Sequence, residues 1–190
     1  MKPLSHYLIV SCWLLLICSS CGADEDYTAA NTPYFRLKAY FLGETKKLYH
    51  DKCTLQAVAF SNDKYEEITY PRPDWYRQFD YFMNADINHH ALDGKYSVDS
   101  MASKSEDGAW RMEVFYRAKE KDLTTRLLQV DYDSLHLVTA LKIETFSHDL
   151  TGNTRSKLIY IPNRKIYIHS EEEDKILGKS IYGTDSKIMH

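Results

Sequence analysis

The second half of this chain alternates between apolar and polar side chains, and that pattern limits the folds that the chain can adopt. A period of two places successive side chains on opposite faces of a β-strand. The alternation begins near Lys95 and is clearest in several short segments, which are residues 110–116, 128–132, 135–146, 155–161 and 165–169. The sequence therefore predicts a run of strands, each with one buried face.

Short connections between these segments determine how the predicted strands pair. Turn-forming residues occupy 149–153 and 162–164, and no helical pattern separates one segment from the next. Parallel strands need a crossover of about a dozen residues or more, whereas a few residues can join antiparallel neighbours. We therefore expect an antiparallel β-meander, in which residues 155–161 and 165–169 form a hairpin.

Earlier in the chain, the apolar spacing changes to that of a helix. Behind a proline-rich bend, apolar side chains recur at i, i+4, i+7 and i+8, at Trp75, Phe79, Phe82 and Met83. This spacing produces one apolar helical face, and Asp74 stands where an N-cap is expected. The sequence predicts a helix from there to about His90, ended by Asp93 and Gly94.

Two further strands are predicted before this helix, one at residues 35–41, where apolar side chains alternate, and one at the more continuously apolar run 55–60. The fold class expected from all these elements is α+β, an antiparallel β-meander with one main helix packed on it. The order of elements resembles the half-barrel of periplasmic lipoprotein carriers and also lipocalin-type barrels. That resemblance implies a curved sheet or half-barrel.

The first residues of the chain predict export from the cytoplasm. Lys2 supplies a short positive region, and the uncharged, mostly apolar stretch 7–17 follows it. A secretory h-region is about 7–15 residues long, whereas a membrane-spanning helix needs about 20. We expect this stretch to be removed after translocation.

A cysteine-containing motif of small residues follows the apolar stretch. The sequence Cys18-Ser19-Ser20-Cys21 resembles the lipobox of bacterial lipoproteins, in which small residues precede a cysteine that is acylated and becomes the mature N-terminus. Cys18 stands where that family usually has leucine, so cleavage after Ala23 by the ordinary signal peptidase is the alternative. The resemblance implies a lipid carrying palmitate-type acyl chains on Cys21.

The same resemblance divides the chain into a signal peptide at 1–20, a lipidated tether at 21–33 and a single β-rich domain at 34–190. Gly22 is not the aspartate that retains lipoproteins at the inner membrane, so an outer-membrane location is implied. The acidic cluster 24–26 looks like the export signal of Bacteroidota surface lipoproteins, and it equally suits a solvated tether. The alternative cleavage would give a soluble secreted or periplasmic protein.

Charge and cysteine content bear on partners and disulfides. The formal net charge of −3 gives no attraction to nucleic acid. If Cys21 is acylated, Cys53 is the single thiol left in the mature chain, whereas an unmodified Cys21 could pair with Cys53. His50 and Lys52 could lower the pKa of Cys53, but sequence neighbours on an extended segment point to opposite faces. That geometry favours a small core or edge residue at this position.

Motifs for catalysis and cofactor binding are missing from the sequence. The histidines lack the HxxxH and HxH spacings of metal sites, so no metal site is expected. Nucleophile motifs and phosphate-binding loops are missing as well, and we predict neither an enzymatic activity nor a cofactor. The acidic run 171–174 is interpreted as a solvated loop, with a weak calcium site as the alternative.

Aromatic residues are the one compositional excess, with 15 tyrosines and 3 tryptophans. Tyrosine and tryptophan combine an apolar ring with a polar tip, which suits surfaces that stack on sugars or grip peptides. A candidate binding rim surrounds the bend at 71–73 and consists of Tyr65, Tyr70, Trp75, Tyr76 and Tyr81. The alternative is that these rings reflect β-propensity and helix packing.

Together these features predict a non-enzymatic, membrane-anchored lipoprotein whose β-rich domain works by binding. Its partner would be an apolar ligand in the concavity of the sheet or another envelope protein along its rim. The second hypothesis is an envelope hydrolase whose catalytic residues are dispersed over the strands. The third is a structural subunit of an envelope complex.

Overall fold

The computed structural model describes residues 33–104 and 108–190. Within them, two α-helices lie among nine strands, in the order α1 (Leu37–His50), β1 (Thr54–Ser61), β2 (Lys64–Tyr70), α2 (Trp75–Met83), β3 (Tyr96–Lys104), β4 (Trp110–Ala118), β5 (Thr125–Tyr132), β6 (Val138–His148), β7 (Gly152–Ile161), β8 (Lys165–Asp174) and β9 (Gly178–Met189). A 3₁₀ turn, His90–Leu92, precedes β3. Strands therefore make up most of the described chain after α2.

All nine strands belong to one antiparallel sheet, with the order β2-β1-β9-β8-β7-β6-β5-β4-β3. Strands β3 to β9 are neighbours in chain order, while the β1–β2 hairpin joins the far side by pairing β1 with β9. The edge strands β2 and β3 do not pair with each other, so the sheet is open. The predicted α+β meander is confirmed, with two helices in place of the one expected.

Both helices pack on one face of the sheet, here called the helix face. Alternate residues of the central strands point to this face and are buried there, among them Leu128, Leu141 and Tyr160. Phe41 of α1 and Phe79 of α2 lie over Tyr160, each with ring centroids 5.2 Å from it. The opposite side of the sheet is called the outer face.

The prediction of a strand at 35–41 is wrong, because α1 begins at Leu37. The helix buries Leu37, Phe41, Thr45 and Leu48, which recur at helical spacing. The alternation seen in seven residues ends there, and Ala39, which the strand would have buried, is exposed. Asp86 stabilises the start of α1 from outside, since its Oδ2 accepts a hydrogen bond from the Lys38 amide at 2.7 Å.

The N-cap of α2 is confirmed, but its predicted C-terminus is wrong. Asp74 accepts a hydrogen bond from the Arg77 amide at 3.3 Å. The helix ends at Met83 rather than near His90. Beyond it, the carboxylate of Asp86 accepts from the Asn88 amide at 2.8 Å, a local turn that competes with further helix.

The sixth strand begins later than its apolar pattern predicted. The predicted strand 135–146 has Leu135 and Leu137 on its apolar face, but these two side chains lie in a turn and are 75% and 60% exposed. Asp133 holds that turn by accepting hydrogen bonds from both of their amides at 2.9 Å. Leu141 and Ile143 are buried as predicted. A local carboxylate therefore overrides the apolar pattern at this strand end.

Two features of the second half were not anticipated from the sequence. The acidic run 171–174, interpreted as a loop, is the end of β8 and pairs with both β7 and β9. Strand β9 itself was missed because its side chains are mostly polar and half-buried. The hairpin of β7 and β8 is confirmed. Among residues 33–104 and 108–190, no helix has the length and apolarity needed to cross a bilayer.

Candidate functional site

The helix face is occupied where an apolar ligand was expected. Phe41, Phe79 and Phe82 are fully buried against the sheet. They form one cluster with Tyr160, whose ring lies 6.4 Å from that of Phe82. The two helices thus supply the apolar contacts that a ligand would have made on this face. The accessible grooves of the β1, β8 and β9 region lie on the outer face.

Four rings form a continuous row on the outer face, named here the aromatic strip: Phe60, Tyr65, Tyr167 and His169. Phe60 of β1 stands directly opposite Tyr65 of β2, and their ring centroids are 6.4 Å apart. On its other side Phe60 lies 5.8 Å from His169 of β8. His169 stacks on Tyr167 at 6.3 Å with an interplanar angle of 9°. Three strands therefore contribute to one aromatic surface.

Gly183 of β9 allows the strip to cross from β1 to β8. It is the cross-strand neighbour of both Phe60 and His169. A Cβ atom at this position would lie 2.7 Å from the Phe60 ring and 2.0 Å from the Ile168 carbonyl oxygen. Because carbon atoms pack at about 3.5–4.0 Å, only glycine leaves room for the ring. The glycine thus brings Phe60 within reach of His169.

Two grooves run along the strip, and Tyr167 lines both of them. The first has a volume of about 650 Å³, and its polar lining includes Gln56, Glu67, Lys165, Asp185 and Lys187. The second has a volume of about 820 Å³, and its charged lining includes Arg126, Glu144, Arg155, Lys157 and Glu171. Both signs of charge occur in each groove. The surface therefore offers hydrogen-bond donors and acceptors without a strong net field.

Charged side chains contact the rings of Tyr167 and His169. Lys165 forms an ion pair with Asp185 at 2.9 Å, and its ammonium lies 5.5 Å from the centre of the Tyr167 ring. Glu171 lies 3.0 Å from the Lys179 ammonium and 3.5 Å from His169 Nε2. Hydrogen bonds from Lys179 and then from His169 lower the pKa of Glu171. An ionised Glu171 therefore lies beside the imidazole of His169.

The five residues of the predicted rim do not share one surface. Tyr65 belongs to the aromatic strip and is 73% exposed, whereas Tyr70 lies on the opposite face of the same strand. Trp75 is buried in the core, stacked on Phe79. Tyr76 and Tyr81 are exposed on α2.

Sequence reasoning missed the other three members of the strip. The spacing of Tyr167 and His169, two residues apart on a predicted strand, already placed these two rings on one face. Phe60 and Tyr65 flank a tight turn at Asn62 and Asp63, which is a hairpin signal. Local spacing could not predict that the Phe60–Tyr65 pair lies close to the Tyr167–His169 pair. This proximity arises because β1 and β8 both pair with β9.

Cys53 is a core residue, in agreement with the preferred interpretation of its sequence context. The side chain is 2% exposed, and its Sγ lies 3.3 Å from Nδ1 of His190. The other ring nitrogen of His190 donates to the Asn163 carbonyl oxygen at 3.2 Å, which leaves Nδ1 as an acceptor for the thiol proton. Burial raises the pKa of Cys53. The group is therefore a neutral thiol rather than an activated nucleophile.

The remaining sequence-based candidates are placed as follows. Cys21 and the lipobox-like residues lie outside the described part of the chain. Among residues 33–104 and 108–190, no group of three or more histidine, cysteine or carboxylate side chains is arranged to hold a metal ion. His89 accepts a hydrogen bond from the Ala91 amide at 3.2 Å, which gives it a structural role at the 3₁₀ turn.

A function for this chain must be inferred from its own residues and geometry, because no family model, curated protein or solved structure matches the chain.

Proposed function

We propose that this chain is an exported, lipid-anchored binding protein of the outer membrane that contacts its ligand through the aromatic strip. The lipobox-like sequence ending at Cys21 supports the anchor, since more than one acyl chain holds a protein stably at a bilayer without a spanning helix. The continuous row of four rings on the outer face carries the binding proposal. The domain is proposed to act by binding rather than by catalysis.

The ligand class that best fits the strip is a neutral carbohydrate chain. Sugar rings present C–H groups on their flat faces and hydroxyl groups around their edges. The flat faces suit half-exposed rings such as Tyr167, and the hydroxyl groups suit flanking donors and acceptors such as Lys187 and Gln56. Neighbouring rings are spaced 5.8–6.4 Å apart, so an elongated ligand could contact several at once.

Charge balance argues for a neutral ligand over an acidic one. Lys165 is neutralised by Asp185, and Glu171 is paired with Lys179. The first groove is lined by two lysines and two carboxylates, and the second by the cations Arg126, Arg155 and Lys157 and the carboxylates Glu144 and Glu171. An acidic polymer would therefore meet nearly as many carboxylates as cations along the strip. Uncharged hydroxyl groups can hydrogen-bond to both kinds of side chain.

Replacing Tyr167 with alanine is expected to weaken carbohydrate binding by about thirtyfold, equivalent to roughly 2 kcal/mol, because this ring lines both grooves. The measurement is isothermal titration of the full chain with a panel of neutral oligosaccharides, or retardation in gels that contain the matching polysaccharide. Phe60→Ala should cause a similar loss. Thermal unfolding of each variant verifies that the fold is retained.

Phe115→Ala is the matched control for these variants. Phe115 lies on the same outer face but on β4, four strands from β8, or about 19 Å at the usual strand spacing. Its ring carries a cation contact from Arg117 at 4.5 Å. Equal losses in Phe115→Ala and Tyr167→Ala, or no retention by any neutral polysaccharide, would refute the carbohydrate proposal. Binding of an extended peptide would instead assign the strip to a protein partner.

The hydrolase hypothesis has one specific observation in its favour. The His169–Glu171 pair lies in the second groove, where a histidine oriented by a carboxylate could act as a base. The same titrations discriminate between the two classes. Shortened oligosaccharides that appear with the wild-type chain and disappear with His169→Ala would indicate catalysis, whereas binding alone leaves the sugars intact.

The anchor is tested separately from the ligand. Mass spectrometry of the mature N-terminus is expected to show acyl chains on Cys21 in the wild-type chain. Cys21→Ala should abolish acylation and release the protein from the membrane fraction, because burial of acyl CH₂ groups contributes about 0.8 kcal/mol each. An unmodified N-terminus at Asp24 would contradict the anchor and favour a soluble exported protein.

A further inference from the structure

Two hairpin turns at one end of the sheet carry three highly exposed aliphatic side chains. Leu150 lies in the β6–β7 turn, and Ile176 and Leu177 lie in the β8–β9 turn. They are 94%, 88% and 88% exposed, more than any other large apolar residue in 33–104 and 108–190. These three residues are called the aliphatic tip. Single exposed leucines are common, but three such side chains on two neighbouring turns place apolar surface together at one end of the sheet.

Hydrogen bonds join the two turns of the aliphatic tip. The Lys175 amide donates to the Thr151 carbonyl oxygen, and the Lys175 ammonium donates to the Leu150 carbonyl oxygen, both at 2.9 Å. At Gly152 a Cβ atom would lie only 2.2 Å from the Glu173 carbonyl oxygen, so this glycine permits close approach of the strands below the turns. The two turns therefore present their side chains as one unit.

Two aspartates fix the backbone of the turns. Asp149 Oδ1 accepts from the Thr151 amide at 2.8 Å and from the Thr151 hydroxyl at 2.7 Å. Asp174 Oδ1 accepts from the Ile176 and Leu177 amides at 2.7 and 2.8 Å. These hydrogen bonds lower the pKa of both aspartates. The exposed aliphatic side chains therefore lie on turns whose backbones are fixed by hydrogen bonds.

We propose that the aliphatic tip inserts into the interfacial region of a zwitterionic lipid bilayer. The tip is a protrusion, and a bilayer accepts an apolar protrusion of any shape because its lipids rearrange around it. Burial of such side chains among acyl chains is favourable in proportion to the apolar area removed from water. The inference goes beyond carbohydrate binding and does not require the strip to bind anything.

The first described residues of the chain lie at the same end of the sheet as the tip. Consecutive antiparallel strands place the start of β3 at the same end of the sheet as the start of β7, where the first tip turn lies. Tyr34, among the first described residues, lies at that end, because its hydroxyl oxygen accepts a hydrogen bond from the Tyr96 amide at 3.3 Å. The chain therefore leaves the described domain at the end that carries the tip.

Charge around the tip selects the type of lipid. Asp149, Asp174, Glu172 and Glu173 lie within or directly below the turns, against Lys175 and Lys179. This excess of carboxylates is repelled by an anionic bilayer surface. Phosphatidylethanolamine and phosphatidylcholine carry no net charge. We therefore expect insertion to be stronger in these lipids than in vesicles rich in phosphatidylglycerol.

The test places an environment-sensitive fluorescent amino acid at position 176 of the full chain, mixed with phosphatidylethanolamine–phosphatidylcholine vesicles. We expect a blue shift of its emission and quenching by lipids that carry a quencher on the acyl chain. The same amino acid at position 135, an exposed leucine at the opposite end of the sheet, is the matched control and should stay unquenched. Flotation of the vesicles measures attachment of the chain independently, so failure of the anchor and failure of the tip are distinguishable.

The variant Leu150→Ser with Leu177→Ser should lose most of the quenching at position 176, whereas Leu135→Ser with Leu137→Ser should not. All four positions are exposed, so thermal unfolding should change little. A label at 176 that remains in water on chains that float with the vesicles would overturn the proposal. A shift seen with proteoliposomes but not with protein-free vesicles would also overturn it and assign the tip to a protein partner.

Discussion

Replacing Tyr160 with alanine is expected to lower the free energy of unfolding by about 3–5 kcal/mol, the range for removing a buried aromatic side chain. The ring is fully buried at the centre of the contact between the helices and the sheet. Its centroid lies within 6.4 Å of four other rings, those of Tyr40, Phe41, Phe79 and Phe82. Urea denaturation of the wild-type and variant chains measures the change.

Tyr160→Phe separates the hydroxyl from the ring. The Tyr160 hydroxyl donates to the Glu44 carboxylate of α1. Burial and then the charge of Glu44 raise the pKa of Tyr160 above its ordinary value of 10, so the proton stays in place at neutral pH. Loss of this hydrogen bond should cost about 1.5–3 kcal/mol, the range for a bond to a charged group. The loss of stability caused by Tyr160→Phe should be smaller in a chain that already carries Glu44→Gln.

The control for the aromatic core is Tyr76→Ala on the exposed side of α2. A surface substitution of this kind usually changes stability by about 0.5 kcal/mol or less. The interpretation of Tyr160 as the centre of the core would fail if Tyr160→Ala and Tyr76→Ala were equally stable. It would also fail if Tyr160→Phe were as destabilised as Tyr160→Ala, because the packing of the ring would then contribute nothing.

Gly183→Val is the second substitution with a large expected effect, and it should damage both stability and binding. A Cβ atom at this position meets a backbone oxygen at 2.0 Å, and that atom cannot move without disturbing the β8–β9 ladder. Overpacking of this kind costs about 1–3 kcal/mol or more. The Phe60 ring must also leave its place beside His169, so the aromatic strip is interrupted. Urea denaturation and carbohydrate titration should both report the loss.

Gly43→Ala is the matched control for Gly183. Gly43 lies inside α1, and a Cβ atom there has no neighbour within 4 Å. Alanine at an unhindered helical position should stabilise the chain by about 0.5–1 kcal/mol. The opposite signs expected for the two glycines test whether close approach determines the role of Gly183. If Gly183→Ala folded and bound like the wild-type chain, glycine would not be required beneath the strip.

Local sequence patterns anticipated the parts of the fold that depend on near neighbours. Alternation identified the strands around Val114, Val130 and Ile143, and the Asp74 cap located the start of α2. The same reasoning failed at Phe41, since seven alternating residues suit a strand and a helix alike until the following turns are considered. It also failed at β9, because this strand has no continuous apolar face. Its polar residues are ordered by pairing with a strand on each side.

The sequence by itself determined the antiparallel meander and the turn between β7 and β8. These follow from periodicity, chain length and short-range hydrogen bonding. For Cys53 the sequence left two candidate roles, an activated thiol and a buried structural residue. Only the tertiary structure placed Phe60 beside His169 and the turn of Leu150 beside the turn of Ile176, because both arrangements depend on which strands pair and in which register. Register is selected by burial of the whole helix face, a property that no short segment carries alone.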